Sequence, residues 1–184
     1  MSKQALIIVD IQNDYFPGGK WTLNGAEAAA DNAARALAAA RAAGDLVVHV
    51  RHEFATADAP FFAPGSTGAQ VHPKVTEQAG EPVVVKQQIN AFRDTALQTI
   101  LQEHAIERLV VVGSMSHMCV DGIVRAAVDL GYATIVLHDA CATLDQTFNG
   151  ITVPAAQVHA AFMAALAFGY AEVLSTDEYL ARVG

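Results

Sequence analysis

Six short apolar runs constrain this chain more than any other feature. They are "QALIIVD" (4–10), "DLVVHVRH" (45–52), "EPVVVK" (81–86), "RLVVVG" (108–113), "YATIVLHD" (132–139) and "AEVLS" (171–175). Each is rich in β-branched residues and too short for a helix, so each reads as a strand. Their apolar residues are consecutive rather than alternating. Strands of that kind are buried on both faces, which happens when helices cover both sides of a parallel sheet.

Helical segments lie between the runs. "NGAEAAADNAARALAAARAAG" (24–44) is Ala-rich, with Asn24 placed to cap it, Glu27 placed for a capping box and Gly44 to stop it. "RDTALQTILQEHAI" (93–106) is amphipathic, and "MCVDGIVRAAVDLG" (118–131) carries apolar Ile123, Val124, Ala127 and Val128. "PAAQVHAAFMAALAFG" (154–169) opens on Pro and closes on Gly, and "STDEYLARVG" (175–184) has Ser175 and Glu178 at capping-box spacing. The alternation predicts one α/β domain over residues 1–184, a three-layer α/β/α sandwich around a six-stranded parallel sheet. Residues 54–81 have several Pro and Gly and no period, so they form a long loop of the kind that usually carries function.

Composition narrows the function. Hydrophobic residues make up 53% and charged residues 16%, more apolar than a lone domain needs, so a homo-oligomer (dimer or tetramer) is expected. A net charge of −8 argues against nucleic acid or an anionic membrane as partner. No apolar run is long enough to span a bilayer, and "MSKQALIIVDIQ" is a short polar lead into a strand rather than a signal peptide. Two cysteines without framework spacing point to a reducing compartment, the cytoplasm.

In parallel sheets, ligands bind beyond the carboxyl ends of the strands. Asp10 ends the first strand, Lys86 ends the third, and the fourth runs into "GSMSHMCVDG" (113–122), which holds Cys119. An acid, a base and a thiol therefore leave the sheet on one edge. Lys⁺ and a helix N-terminus, with Ser116 as cap, favour a thiolate; Asp10 can take the thiol proton. Each residue also has a plain reading: Cys119 as packing, Asp10 as a turn cap, Lys86 as a solvated strand end.

The residues also resemble a known family. "ALIIVDIQNDYFPGG", "VVHVRHE", "GSTGAQVHP", "GEPVVVKQQINAF", "LVVVGSMSHMCVDGIVRAAVDLGY" and "HDACAT" are similar, in order and over nearly the whole chain, to segments of the isochorismatase-like cysteine hydrolases. That superfamily includes nicotinamidases, N-carbamoylsarcosine amidases and isochorismatases. The resemblance implies a triad of Asp10, Lys86 and Cys119, and a strand order of 3-2-1-4-5-6. It implies a cis peptide at Ser114–Met115, with an oxyanion held by the Met115 and Cys119 N–H groups. It implies no cofactor and no metal, because Val50 stands where nicotinamidases place the Asp of their metal-binding Asp-x-His before His52. Cys119 favours cleavage of a C–N bond in a small amide, lactam or carbamoyl compound through a thioester. Vinyl-ether hydrolysis and a non-enzymatic thiol sensor are the alternatives. The "GSMSHMCVD" form resembles a bacterial branch with streptothricin-type lactam hydrolases as relatives.

Substrate-binding candidates are Gln12, Phe16, Phe54, Phe92 and His117. Gln12, with Asn13, either anchors a loop beside Asp10 or forms an ordinary turn. Phe16, Trp21, Phe54, Phe61 and Phe92 either line an apolar pocket or cap the core. His117 either faces substrate or makes a structural hydrogen bond. His52 and His72 are expected to buttress the long loop, and Cys141 to fill buried space.

Overall fold

The computed structural model describes residues 3–183, so Met1 and Ser2 of the polar lead and Gly184 of the last segment lie outside the described residues. The strands are β1 (Gln4–Val9), β2 (Leu46–His52), β3 (Val83–Lys86), β4 (Arg108–Ser114), β5 (Ala133–Ala142), β6 (Gln146–Phe148), β7 (Ile151–Val153) and β8 (Glu172–Leu174). The helices are α1 (Ala26–Ala43), α2 (Leu97–Glu103), α3 (Asp121–Asp129), α4 (Ala155–Gly169) and α5 (Thr176–Val183). Six strands form one parallel sheet in the order β3-β2-β1-β4-β5-β8. This is the expected order; the sixth sheet strand is β8 because a separate hairpin, β6–β7, precedes it.

Strand alternation divides the core in two. Leu6, Ile8, Val110, Val112 and Leu137 pack against the small side chains of α1 and against Tyr179 of α5. Ala5, Ile7, Val9, Leu109, Val111 and Val136 face Leu97 and Leu101 of α2, Ile123 and Val124 of α3, and Met163 and Leu166 of α4. Both faces of the central strands are therefore covered. At the edge, β3 alternates, with Val83 and Val85 exposed.

Several local expectations change. Asn24 does not cap α1: Gly25 holds the cap position at φ 74, and the Asn24 N–H donates to the Thr143 carbonyl at 2.8 Å. The helix expected over 93–106 shrinks to Leu97–Glu103, because Asp94 (φ 58) and Ala105 (φ 51) are left-handed at either end. Ser116 is not a cap either. A π-helical turn, Ser116–Val120, precedes α3, and the Ser116 hydroxyl meets Ala142 O and His159 Nδ1. The β6–β7 hairpin is absent from the sequence reading, although Asn149–Gly150, with φ 50 and 77, is the signature of its turn. The Ser175–Glu178 capping box forms as expected, with Oε2 accepting from Ser175 N at 2.7 Å and Glu178 N donating to Ser175 Oγ at 3.2 Å.

β1 and β4 are neighbours at the point where strand order reverses, and they approach closely there. Gly113, at φ 126, stands against Val9: a Cβ at this position would lie 1.9 Å from Val9 O. Glycine is required for the two strand ends to meet.

Candidate active site

Lys86 Nζ is the centre of the site. It lies 2.9 Å from Asp10 Oδ2, 3.2 Å from Cys119 Sγ and 3.0 Å from His52 Nδ1. Asp10, Lys86, Cys119 and His52 are all buried. Three adjacent strands and one turn deliver them: Asp10 follows β1, His52 ends β2, Lys86 ends β3, and Cys119 sits in the π-helical turn after β4. His52 and Lys86 are paired in register across β2 and β3. Asp10 takes a left-handed conformation (φ 50), which turns the chain out of the strand while its N–H still donates to Val50 O. The Ser114–Met115 peptide bond is cis.

Burial and charge act on each group. Burial pushes the Cys119 thiol up, Asp10 pushes it further, and Lys86 opposes both, so the resting group is a thiol. Burial pulls Lys86 down, but Asp10 and the Cys119 sulfur outweigh it and the net shift is upward, so the lysine stays an ammonium. His52 falls to about 4, through burial first and the Lys86 ammonium second, with Asp10 opposing. Its imidazole is neutral. Asp10 Oδ1 has no hydrogen-bond partner among the described residues and is open to a proton. The arrangement can carry a proton from sulfur to carboxylate beside a fixed positive charge.

Asp10, His52 and Cys119 each offer a donor atom, all within 4.8 Å of one another. A metal ion there would sit against the Lys86 ammonium, which already contacts one atom of each, so charge repulsion makes this set a poor fit for a resident metal.

Residues 4–178 match the isochorismatase domain family. The chain belongs to the isochorismatase family. It is 47% identical to the isochorismatase family protein YddQ of Bacillus subtilis over 96% of this chain and 98% of that one. It is 36% identical to a streptothricin hydrolase of Streptomyces noursei over 77% of this chain, though it spans only 50% of that protein. With the ureidoacrylate amidohydrolase RutB of Variovorax paradoxus it shares 29% identity over 76% of this chain and 68% of that one. Among solved structures, a protein from Oleispira antarctica named for its likeness to isochorismatase hydrolases superposes with a TM-score of 0.95 at 60% identity, covering 98% of this chain and 97% of that one. A cysteine hydrolase from Pseudomonas syringae gives a TM-score of 0.92 at 25% identity, over 98% and 92%.

In this isochorismatase-family hydrolase, the other candidate residues have distinct positions. Gln12 is fully buried, and its amide is used up by backbone: it donates to His52 O and Ala69 O and accepts from His52 N, each at 2.8 Å. It anchors β2 and the long loop to the end of β1, so its assignment as a substrate contact is corrected to an anchor. Asn13 donates to Thr67 O from the same turn. Asp14, not singled out from sequence, accepts from Phe62 N at 2.7 Å and Lys20 N at 3.1 Å. The "DIQND" segment thus ties together the end of β2, the long loop and the turn at Lys20.

The five aromatics do not form one pocket wall. Phe54, Phe61 and Trp21 cluster with Tyr15 and Phe62, and the Phe54 ring lies 4.6 Å from the His52 ring. Phe16 is buried and stacks on His72 at 3.7 Å. Phe92 stacks on Tyr132 at 6.2 Å, against the other core. His117 bonds Thr143 Oγ1 through Nδ1 at 2.7 Å, the structural alternative. Cys141 is buried, and burial lifts its thiol to about 12. A cavity of about 510 Å³ is lined by His138, Asp139, Thr143, Asp145 and His159 and by none of the Lys86 cluster. The Lys86 cluster therefore sits apart from this opening.

His52, expected to buttress the long loop, packs on Phe54 and Phe62 of that loop, and the β2–β3 register also sets it beside Lys86. Among the described residues no helix is long and apolar enough to cross a membrane.

Proposed function

We propose that this family member is a cysteine hydrolase that cleaves a C–N bond of a small amide, lactam or carbamoyl compound. The observation that carries the reading is the buried Lys86 ammonium, in contact with Asp10 Oδ2 at 2.9 Å and Cys119 Sγ at 3.2 Å. The names of the streptothricin hydrolase and the ureidoacrylate amidohydrolase among its relatives support the bond type.

Asp10 takes the Cys119 proton as the sulfur attacks the carbonyl carbon. Lys86 stabilises the thiolate, whose charge burial otherwise disfavours. The N–H groups of Met115 and Cys119 receive the oxyanion. The C–N bond breaks as Asp10 returns the proton to nitrogen, and amine or ammonia leaves a thioester on Cys119. Water, deprotonated by Asp10, attacks the thioester; the carboxylic or carbamic acid departs and the thiol is restored. No cofactor takes part, and neither nucleic acid nor membrane is a partner of this acidic chain. Assembly into a homo-oligomer is supported by exposed Phe148 and Ile151 on the hairpin and exposed Phe168 on α4. Two free cysteines suit the cytoplasm.

The test is a screen for ammonia or amine release over small amides, lactams and ureides, with intact-mass detection of an acyl adduct. Release with an adduct on Cys119 is expected. Pyruvate release from a vinyl ether without amine would replace this reading with the isochorismatase reaction. Reversible peroxide oxidation of Cys119 without turnover would replace it with a thiol sensor.

A further inference from the structure

Lys86 has three N–H bonds, and two of its three close contacts belong to the chemistry just proposed. The third is His52 Nδ1 at 3.0 Å. An ammonium only donates, so Nδ1 must present its lone pair and the ring proton must sit on Nε2. A charged imidazole is excluded because it would put a second cation against Lys86 in a buried site. Burial and the Lys86 charge lower the imidazole to about 4, in keeping with that geometry.

The ring is held rigidly. Both its own backbone polar groups are clamped by Gln12, at 2.8 Å each. Its neighbour Glu53 donates its N–H to Lys86 O at 3.0 Å, which closes the β2–β3 ladder directly behind the two side chains. The ring packs on the Phe54 edge at 4.6 Å and near Phe62 at 6.3 Å. Nε2 is buried with no hydrogen-bond partner among the described residues. A buried donor without an acceptor is unfavourable and rare. Here it is the consequence of using the other nitrogen on Lys86.

We propose that His52 is a positioning residue for Lys86: its Nδ1 lone pair fixes the direction of the ammonium, so that the remaining N–H bonds stay on Asp10 and Cys119. The proposal rests on the reading of Cys119 as nucleophile, and it extends the functional group from three side chains to four. Without His52 the flexible lysine stem lets the ammonium swing onto Asp10 alone, and the sulfur loses its cation.

Two variants separate this role from packing. His52→Asn keeps an acceptor near the Nδ1 position, and His52→Leu fills space without one. Iodoacetamide is the probe, with peptide mapping to distinguish Cys119 from Cys141. His52→Leu is expected to slow alkylation of Cys119 by about tenfold or more, and His52→Asn to restore most of it. On any amide found by the screen, His52→Leu lowers kcat with little change in KM. Alkylation of folded His52→Leu at the wild-type rate, or no rescue by Asn, overturns the proposal. Should His52→Leu fail to fold, ¹⁵N NMR of the wild-type protein at neutral pH decides: a proton on Nε2 alone supports the role, and a proton on Nδ1 overturns it. Iodoacetamide needs no substrate. Persistent hydrolysis in Cys119→Ala would therefore defeat the amidase reading, while the alkylation contrast would still judge His52.

Discussion

Two histidines of one strand put the same ring to opposite use. His49 and His52 lie three residues apart on β2, so strand alternation turns them to opposite faces. His49 Nε2 meets the Glu81 carboxylate at 2.9 Å, and there the ring donates. His52 Nδ1 meets the Lys86 ammonium at 3.0 Å, and there the ring accepts. Both carry the proton on Nε2; His49 leaves Nδ1 idle, His52 leaves Nε2 idle. The surroundings differ more. Glu81 is saturated by Arg41 Nε and Nη2, by Gln78 N and by His49. Arg41 first, then the Gln78 N–H and His49, pull its carboxyl down to about 2 against the opposing effect of burial. That network closes the end of the long loop onto α1. In the other, Asp10 Oδ1 has no partner, His52 Nε2 has none, and the thiol is held protonated by burial. In the structural tie the carboxylate is saturated and only His49 Nδ1 is left over. The Lys86 cluster leaves capacity unmet where a reaction would use it.

The sharpest way to break this contrast is Lys86→Met. It strands the Asp10 carboxylate in a buried site with no cation, so urea denaturation is expected to show a loss of about 3–5 kcal/mol together with loss of hydrolysis. A near-neutral effect on stability would mean that the cluster is no more demanding than a surface pair.

Acid separates the two networks by pH. His52 stays neutral in the fold down to about 4, against an ordinary value of 6.5. Below 6.5 the unfolded chain takes a proton that the folded chain refuses, so stability falls as pH drops from 6.5 towards 4, by roughly 3 kcal/mol at most. Burial also lowers His49, against the pull of Glu81, as well as His72, His117 and His159, and all add to the same window, so His52→Asn is the control that isolates the active-site share. Glu81 works lower. Its carboxylate contribution is whole above its ordinary 4.5 and disappears as pH falls towards 2. Thermal melts across pH should show two stages, and His52→Asn should shrink the upper one and leave the lower unchanged.

Gln12→Leu tests whether the anchor serves the cluster. It removes the partners of His52 N, His52 O and Ala69 O, and about 2 kcal/mol of stability is expected to go with them. Slower iodoacetamide labelling of Cys119 should accompany the loss. Glu81→Gln has the smallest effect: about 1 kcal/mol by denaturation, with labelling unchanged, because the His49 network lies on the opposite face of β2 from the cluster.

Much of this was legible in the chain. Consecutive apolar residues in "LIIV" and "LVVV" announced strands covered on both faces; Asp10, which follows the first of them, and Lys86, which ends "VVVK", come together in the cluster that holds Cys119. What escaped was whatever depends on pairing between strands. His52 is visible as the last residue of β2, but only its register with Lys86 gives it a partner. Gln12 reads equally as a loop anchor or an ordinary polar turn residue until the loop at Ala69 folds back to it. Asn24 met a capping rule and lost to a bridge with Thr143, a residue more than a hundred positions away. The hairpin at Asn149–Gly150 is different: its signal is local and was present.

The central claim is that Cys119 attacks carbon. It is tested most directly by comparing wild type with Cys119→Ala on the first amide, lactam or ureide found to release ammonia or amine, with intact mass recorded during turnover. The account predicts a thioester adduct on Cys119 in the wild type, and a folded Cys119→Ala protein whose turnover has fallen by about a thousandfold or more. Turnover at the wild-type rate by Cys119→Ala would contradict it.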